Sequence, residues 1–420
     1  MSTSNRRGRR WLLGLFAALG AVTLIAAACG DDDDGSGATA SPAVEATLET
    51  GAADGFAGEG VVEGSGQYDW QVVRVDGGTK PDIALAPDGA PLIAYMLERR
   101  GDDGFVRVAT GGDGGFSIET LQNGYLYGPL DIEVSAEGTV AVAYHNHDWE
   151  DAAVAVLRDG EWEVDRVGNV NHDGWDDSLA FGPDGSIHLL AIDPSQFGTG
   201  DSVQYATLRD GRWLVELVGS GPEPYEWGTD IAVDAGGTVH AVYFDLGGRD
   251  LMYATNDGSG WTIERIYESG DAGRFASLAL DGEGLPHVAF FQSDEDLRET
   301  GPAPGNIVYG AFDGDGWSFE QVDRLEHQVF NFEGARRTVA LELGADGPVL
   351  AFIDESRVAV ATLVGGEWEV ETLLEAGADP FQIVGLALDD AGAPHLTFAT
   401  VTGNGPLDGE VWYVAPVRKQ

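Results

Sequence analysis

The chain has 420 residues, of which 43% are hydrophobic and 61 are glycine. That is enough apolar material for a large core, and the glycine count suits an all-β protein with many tight turns. The formal net charge is -48, from 71 Asp and Glu against 23 Lys and Arg; such a field repels phosphate backbones, which are bound through Lys and Arg, and so excludes nucleic acid as a partner.

Residues 1–28 read as an export signal. Arg6, Arg7, Arg9 and Arg10 precede an apolar run, 11–28, that ends in small residues at Cys29. The stretch Ile25-Ala26-Ala27-Ala28-Cys29-Gly30 resembles the bacterial lipoprotein lipobox, with Ala26 where leucine is usual. The resemblance implies cleavage before Cys29 and a diacylglycerol on its sulfur. The membrane is then a partner through the lipid anchor, and the expected location is the extracytoplasmic face of the cell envelope. Arg9-Arg10 leaves a twin-arginine export route open beside the general one. A single membrane-spanning anchor is the alternative, although about 18 apolar residues barely reach spanning length.

Residues 29–66 are rich in Asp, Gly, Ala, Ser and Glu, with four aspartates in a row at 31–34, and read as an acidic disordered tether. Cys29 is the only cysteine, so the folded part has no disulfide and depends on packing.

Residues 67–420 form a repeat. The segment 227–266 has three apolar runs split by Gly and Asp turns and ends in Trp261-Thr262-Ile263-Glu264-Arg265-Ile266. This is the punctuation of four short antiparallel strands, called a to d here. The unit recurs most clearly at 179–218 and 276–322. An aromatic residue opens each d strand: Trp70, Phe116, Trp162, Trp213, Trp261, Trp317 and Trp368. Their spacing of about 50 residues is that of propeller blades. The a-b-c part also occurs seven times, starting near Ile83, Ile132, Leu179, Ile231, Leu278, Val339 and Leu386. The first d strand has no a-b-c before it and the last a-b-c has no d after it. The expected fold is therefore an all-β, seven-bladed β-propeller of four-stranded antiparallel blades, closed by the N-terminal strand completing the last blade.

The repeated aromatic residue reads as packing between blades. His188, His240, His287 and His395 each follow the glycine of an a-b turn by three residues, where Leu92, Ala141 and Leu350 stand in the other blades. They read as hydrogen-bonded strand residues, since four side chains in separate blades cannot share one ion.

The repeats resemble those of bacterial seven-bladed propellers of the Asp-box and sialidase-like type. Thr255-Asn256-Asp257-Gly258-Ser259-Gly260-Trp261 is similar to an Asp-box one residue short, and Arg158-Asp159-Gly160-Glu161-Trp162 is more degenerate. Sialidases themselves have six blades, an arginine triad and a Tyr/Glu nucleophile pair, a set with no counterpart placed in this chain. The resemblance implies the architecture and points toward glycans; fold alone does not fix function.

The a-b and c-d turns are short, whereas the b-c and d-a connections are long, varied and aromatic. Both long sets project from one end of the ring, where a binding site is expected; the short-turn end is expected to be structural. The densest group lies in blades 1 to 3: Tyr125, Tyr127, His145, Asn146, His147, Asp148, Trp149, His172, Asp173 and Trp175. His145, His147 and His172 with Asp148 or Asp173 supply the nitrogen and oxygen ligands that Zn takes. Asn169, Asn171, Asp173, Gly174 and Asp177 resemble a Ca loop, but Ala180 stands where the closing Glu belongs. Solvated loop histidines and an ordinary turn are the plain alternatives.

A second patch holds Tyr225, Trp227, Arg274, Phe275, His327, Phe330, Phe332, Arg336 and Arg337. Aromatic faces with planar polar groups suit sugars, and paired arginines suit a carboxylate. Asn146, Asp193, Asp245, Gln292 and Asp354 close the b strands and are expected to ring the channel mouth. No G-x-S-x-G elbow, phosphate loop or CxxC is present. The expected function is a lipid-anchored binding or scaffold propeller that takes a glycan or an extracellular protein. The alternatives are a metal-assisted hydrolase or lyase acting on extracellular polysaccharide, and a purely structural envelope protein.

Overall fold

The structure, a computed structural model, describes residues 58–419 except 98–103, 113, 169–174, 194–200, 222–227, 246, 294, 296–302, 327–337, 355, 377–380 and 402–408. The expected export signal, Cys29 and the tether up to residue 57 lie outside the described residues.

Seven antiparallel sheets are present among the described residues, and every element is a strand. Blade 1 holds Thr79–Leu85, Pro91–Leu97, Gly104–Gly112 and Gly115–Gly124; blade 2 holds Leu126–Val134, Val140–Asn146, Asp151–Arg158 and Glu161–Val167. Blade 3 holds Trp175–Phe181, Ile187–Asp193, Asp201–Arg209 and Arg212–Gly221; blade 4 holds Asp230–Val233, Val239–Asp245, Asp250–Asn256 and Trp261–Tyr267. Blade 5 holds Asp271–Leu280, Pro286–Ser293, Gly305–Phe312 and Trp317–Leu325; blade 6 holds Val339–Gly344, Gly347–Asp354, Arg357–Val364 and Glu367–Glu375. Blade 7 joins Phe381–Leu388, Pro394–Val401 and Gly409–Arg418 to the N-terminal strand Tyr68–Gly77.

The closing pair is antiparallel, with Trp70 opposite Pro416 and Val73 opposite Tyr413. A strand outside the expected domain extends this sheet: Gly60–Val62 pairs with Tyr68–Gly77 inside the span read as tether, so the fold begins earlier than residue 67. Val62 is drawn in because it packs on the cluster containing Trp70 and Trp412, a gain that a wholly polar tether would lack.

Blades are joined by two repeated devices. On the outer side, the d-strand aromatic of one blade packs on a c-strand residue of the blade before it. Trp261 meets Tyr205, Trp317 meets Tyr253, Trp368 meets Tyr309 and Phe116 meets Tyr413, with ring centroids 5.1–5.7 Å apart and edge-on geometry. Each of these tyrosines in turn shares a hydrogen bond of 2.5–2.6 Å with the Nδ1 of a b-strand histidine: His188, His240, His287 or His395. The four histidines are thus the hydrogen-bonded strand residues that the repeat predicts. Blades 1, 2 and 6 carry Val108, Val154 and Val360 at the tyrosine position, and no histidine. In blade 6 the register puts Val349, not Leu350, at the histidine position, because its a-b turn is shorter.

On the inner side, strand a is the edge of each sheet, and its outward N–H groups need acceptors. Oδ2 of Asp82 accepts from the N–H of Ile132, Oδ2 of Asp131 from Leu179, and Oδ2 of Asp230 from Leu278, at 2.7–3.2 Å. The hydroxyl of Ser277 accepts from Leu341 in the same way. Blades 1, 2, 4 and 5 therefore each cap the exposed edge of the next around the central channel.

Candidate functional site

The rim of blade 2 carries the best-braced aromatic group on the long-loop side. Tyr125 precedes strand a and is 40% exposed. Its carbonyl accepts from the N–H of His147 at 2.9 Å, and its own N–H donates to Oδ2 of Asp148 at 3.0 Å. The two loops are thereby locked to each other. Gly124 allows this approach: a Cβ there would stand 2.6 Å from the Asp148 carboxylate, and its φ of +151° disfavours other residues. Trp149 donates its N–H to the Asn146 side chain and backbone, and its carbonyl accepts from Arg166. The rings of Tyr125 and His147 meet edge-on at 4.3 Å, and His147 lies 5.8 Å from His145. A rigid, partly exposed ladder of rings results, with Trp149 half-buried beside it.

Of the expected metal set, the structure brings together His145, His147 and Asp148 but not as a cage. His145 is the penultimate residue of strand b and is 1% exposed, so it is neither a solvated loop histidine nor an open ligand. The Asp148 carboxylate is turned onto Tyr125. Among the described residues no group of three or more His, Cys, Asp or Glu could hold a metal ion. His172 and Asp173, with Asn169, Asn171 and Gly174 of the Ca-like run, lie outside the described residues. Asp177 is buried, and its neighbour Asp176 accepts from the backbone of Gly228 and Thr229 at 2.8 Å, bracing blade 3 to blade 4.

Tyr127 lies opposite His145 on strand a of blade 2, and Trp175 lies opposite Ile192 in blade 3. Tyr225, Trp227, Arg336 and Arg337, with His327, Phe330 and Phe332, lie outside the described residues. Arg274 departs from its expected place on the rim. It is 1% exposed, its guanidinium binds Asp271 through two hydrogen bonds of 2.5 and 2.9 Å, and it stacks on Phe244 at 4.5 Å. The cause is a bulge in strand a of blade 5 in which Phe275 takes φ 55° and the segment folds inward. Of the residues expected to ring the channel mouth, Asn146, Asp193, Asp245 and Gln292 bond to Trp149, Gln204, Gly248 and Asn306, within their own b-c hairpins.

One feature of the channel was not singled out from the sequence. A cavity of about 480 Å³ opens among the a strands and the first residues of the a-b turns, at the end expected to be only structural. Glu133 and Glu342 line it, and among the described residues no Lys, Arg or His does. Burial raises the pKa of Glu342 to about 8, helped by Asp230 and Asp82. Burial likewise raises Glu133 well above the usual range, with Asp131, Glu342, Asp82 and Asp230 adding to the shift. The available signal was register: the equivalent residue of every other blade is alanine.

No protein-family model matches the chain, and no curated protein matches it. Among solved structures it is similar to a PL25 ulvan lyase bound to -[GlcA(1-4)Rha3S]-, with TM-score 0.55 and 13% identity over 85% of this chain and 96% of that one. A lectin of Aleuria aurantia in complex with Fucα1-6GlcNAc gives TM-score 0.46 and 14% identity over 71% and 96%. An α-L-arabinofuranosidase of Fusarium graminearum with arabinobiose gives TM-score 0.46 and 13% identity over 69% and 92%. At such identities the likeness is one of fold. The chain is a seven-bladed β-propeller.

Proposed function

We propose that this propeller is a lipid-anchored, extracytoplasmic glycan-binding module, with the blade 2 rim as its sugar platform. The observation that carries the reading is the locked Tyr125–His147 pair: an exposed ring held in place by two backbone hydrogen bonds offers a flat apolar face at little entropic cost. Sugar rings present one apolar face and a polar edge, and Asp148 and Glu150 stand exposed beside the platform to accept from hydroxyls. The lyase of similar fold, bound to -[GlcA(1-4)Rha3S]-, supports carbohydrate as the ligand class, although not the charge of the ligand.

The charge narrows that class. Arg166, which bonds the Trp149 carbonyl, is paired with Asp151, and the whole chain carries -48. A uronate or sulfated polymer would be repelled, so the ligand is an uncharged glycan. A glycan array probed with the full chain tests this. Retention of neutral glycans that falls with Tyr125→Ala supports the reading. No retention, or retention indifferent to Tyr125→Ala and His147→Ala, overturns it.

A further inference from the structure

Strand a of every blade has one residue that pairs with the histidine position of strand b. In blades 1, 3, 4, 5 and 7 it is alanine, as in Ala180 opposite His188 and Ala387 opposite His395. In blades 2 and 6 it is Glu133, opposite Ala141, and Glu342, opposite Val349. Five alanines show what packing at this position asks for. Two glutamates there place carboxyl groups in a confined channel where no structural demand for them is visible.

The surroundings offer no compensating charge. Blade 1 contributes Asp82 to the cavity wall, blade 2 adds Asp131, and blade 4 adds Asp230 and Asp234; among the described residues blades 3, 5 and 7 contribute no titratable side chain. Asp82, Asp131 and Asp230 each accept a backbone N–H of the next blade, and Asp234 faces His240 at 3.6 Å. Glu133 and Glu342 do neither among the described residues. Like charges in a confined space of low polarisability disfavour one another's ionised form.

We propose that Glu133 and Glu342 make the central channel a proton-responsive element, which holds the seven blades most tightly with a proton on the pair and loosens the ring when both carboxyls ionise. The sign follows from linkage. In the unfolded chain a glutamate ionises near about pH 4.3, whereas Glu342 in the ring keeps its proton up to about 8. Between those values the unfolded chain binds fewer protons, so stability falls as pH rises. The stability held by the protonated pair is fully present below the lower value, and its loss is complete above the upper one.

The test is thermal unfolding of the full chain between about pH 5 and about pH 9, with Glu133→Ala/Glu342→Ala, which installs the residue of the other five blades. Glu133→Gln/Glu342→Gln keeps the side-chain size and serves if the alanine form fails to fold. Asp346→Asn, an exposed acid of blade 6, controls for the general acidity of the surface. The wild type and the control are expected to lose melting temperature toward alkaline pH by clearly more than either double variant. Equal losses in all four proteins would overturn the proposal.

Discussion

The indole N–H of Trp70 donates to Oε1 of Glu371 at 3.4 Å, across 301 residues of chain. The same carboxylate oxygen accepts from the backbone of Ser65 and Gly66, while Lys419 reaches the carbonyl of Gly64. The first strand is thus tied to blade 6 as well as to its own sheet, and the ring is latched from both sides of the seam.

That latch is expected to dominate the stability of the ring. Trp70 is 1% exposed, so Trp70→Ala should cost ~3–5 kcal/mol, read as a lower urea midpoint. Glu371→Ala should cost ~1–2 kcal/mol, through the N–H groups left without an acceptor.

The Trp–Glu bond of the seam recurs between Trp162 and Glu119, Trp317 and Glu264, and Trp368 and Glu320. Among the described residues it fails at Trp213 and Trp261, whose buried Nε1 atoms have no partner; the equivalent acid is Asp165, one methylene shorter, for Trp213 and Glu216, of full length, for Trp261. Asp165→Glu is expected to stabilise the protein by ~1 kcal/mol. A melting temperature at or below the wild-type value would contradict the assignment.

His188 is expected to remain neutral well into acid. Burial lowers its pKa to about 4, against which Asp184 acts in the opposite direction. For a base with a depressed folded value, stability is present above the unfolded pKa of about 6.5 and is lost as pH falls toward 4, by up to ~3 kcal/mol. The imidazole shifts of His188, followed by NMR, should show no titration at about pH 6.

The Arg274–Asp271 pair is expected to behave as a unit. Removing one partner leaves a buried charge, so Arg274→Ala should cost ~3–5 kcal/mol, whereas the double Arg274→Ala/Asp271→Ala should cost less than the sum of the singles. Additive losses in urea unfolding would show that the pair is not coupled.

Blade number and closure were legible because one aromatic residue opens each outer strand and an unpaired d strand stood at one end of the repeat. The histidine positions were legible from their distance to the turn glycine, and they misled only in blade 6, where a shortened turn moved the register to Val349. Site chemistry was less legible. His145 and His147 differ by two positions, yet one ends a buried strand and the other starts a turn, a boundary that alternation alone does not mark. The burial of Arg274 depends on a bulge with Phe275 at positive φ, which no local pattern announces. Glu133 and Glu342 were invisible among 71 acids until register set them against five alanines.

The most direct test of the functional account is a titration of the full chain with a neutral oligosaccharide chosen from the array, repeated with Tyr125→Ala. Loss of one stacked ring, at ~1.5 kcal/mol, corresponds to about a tenfold weaker Kd. An unchanged Kd, or stronger binding of a polyanionic oligosaccharide than of a neutral one, would contradict the blade 2 rim as a platform for uncharged glycans.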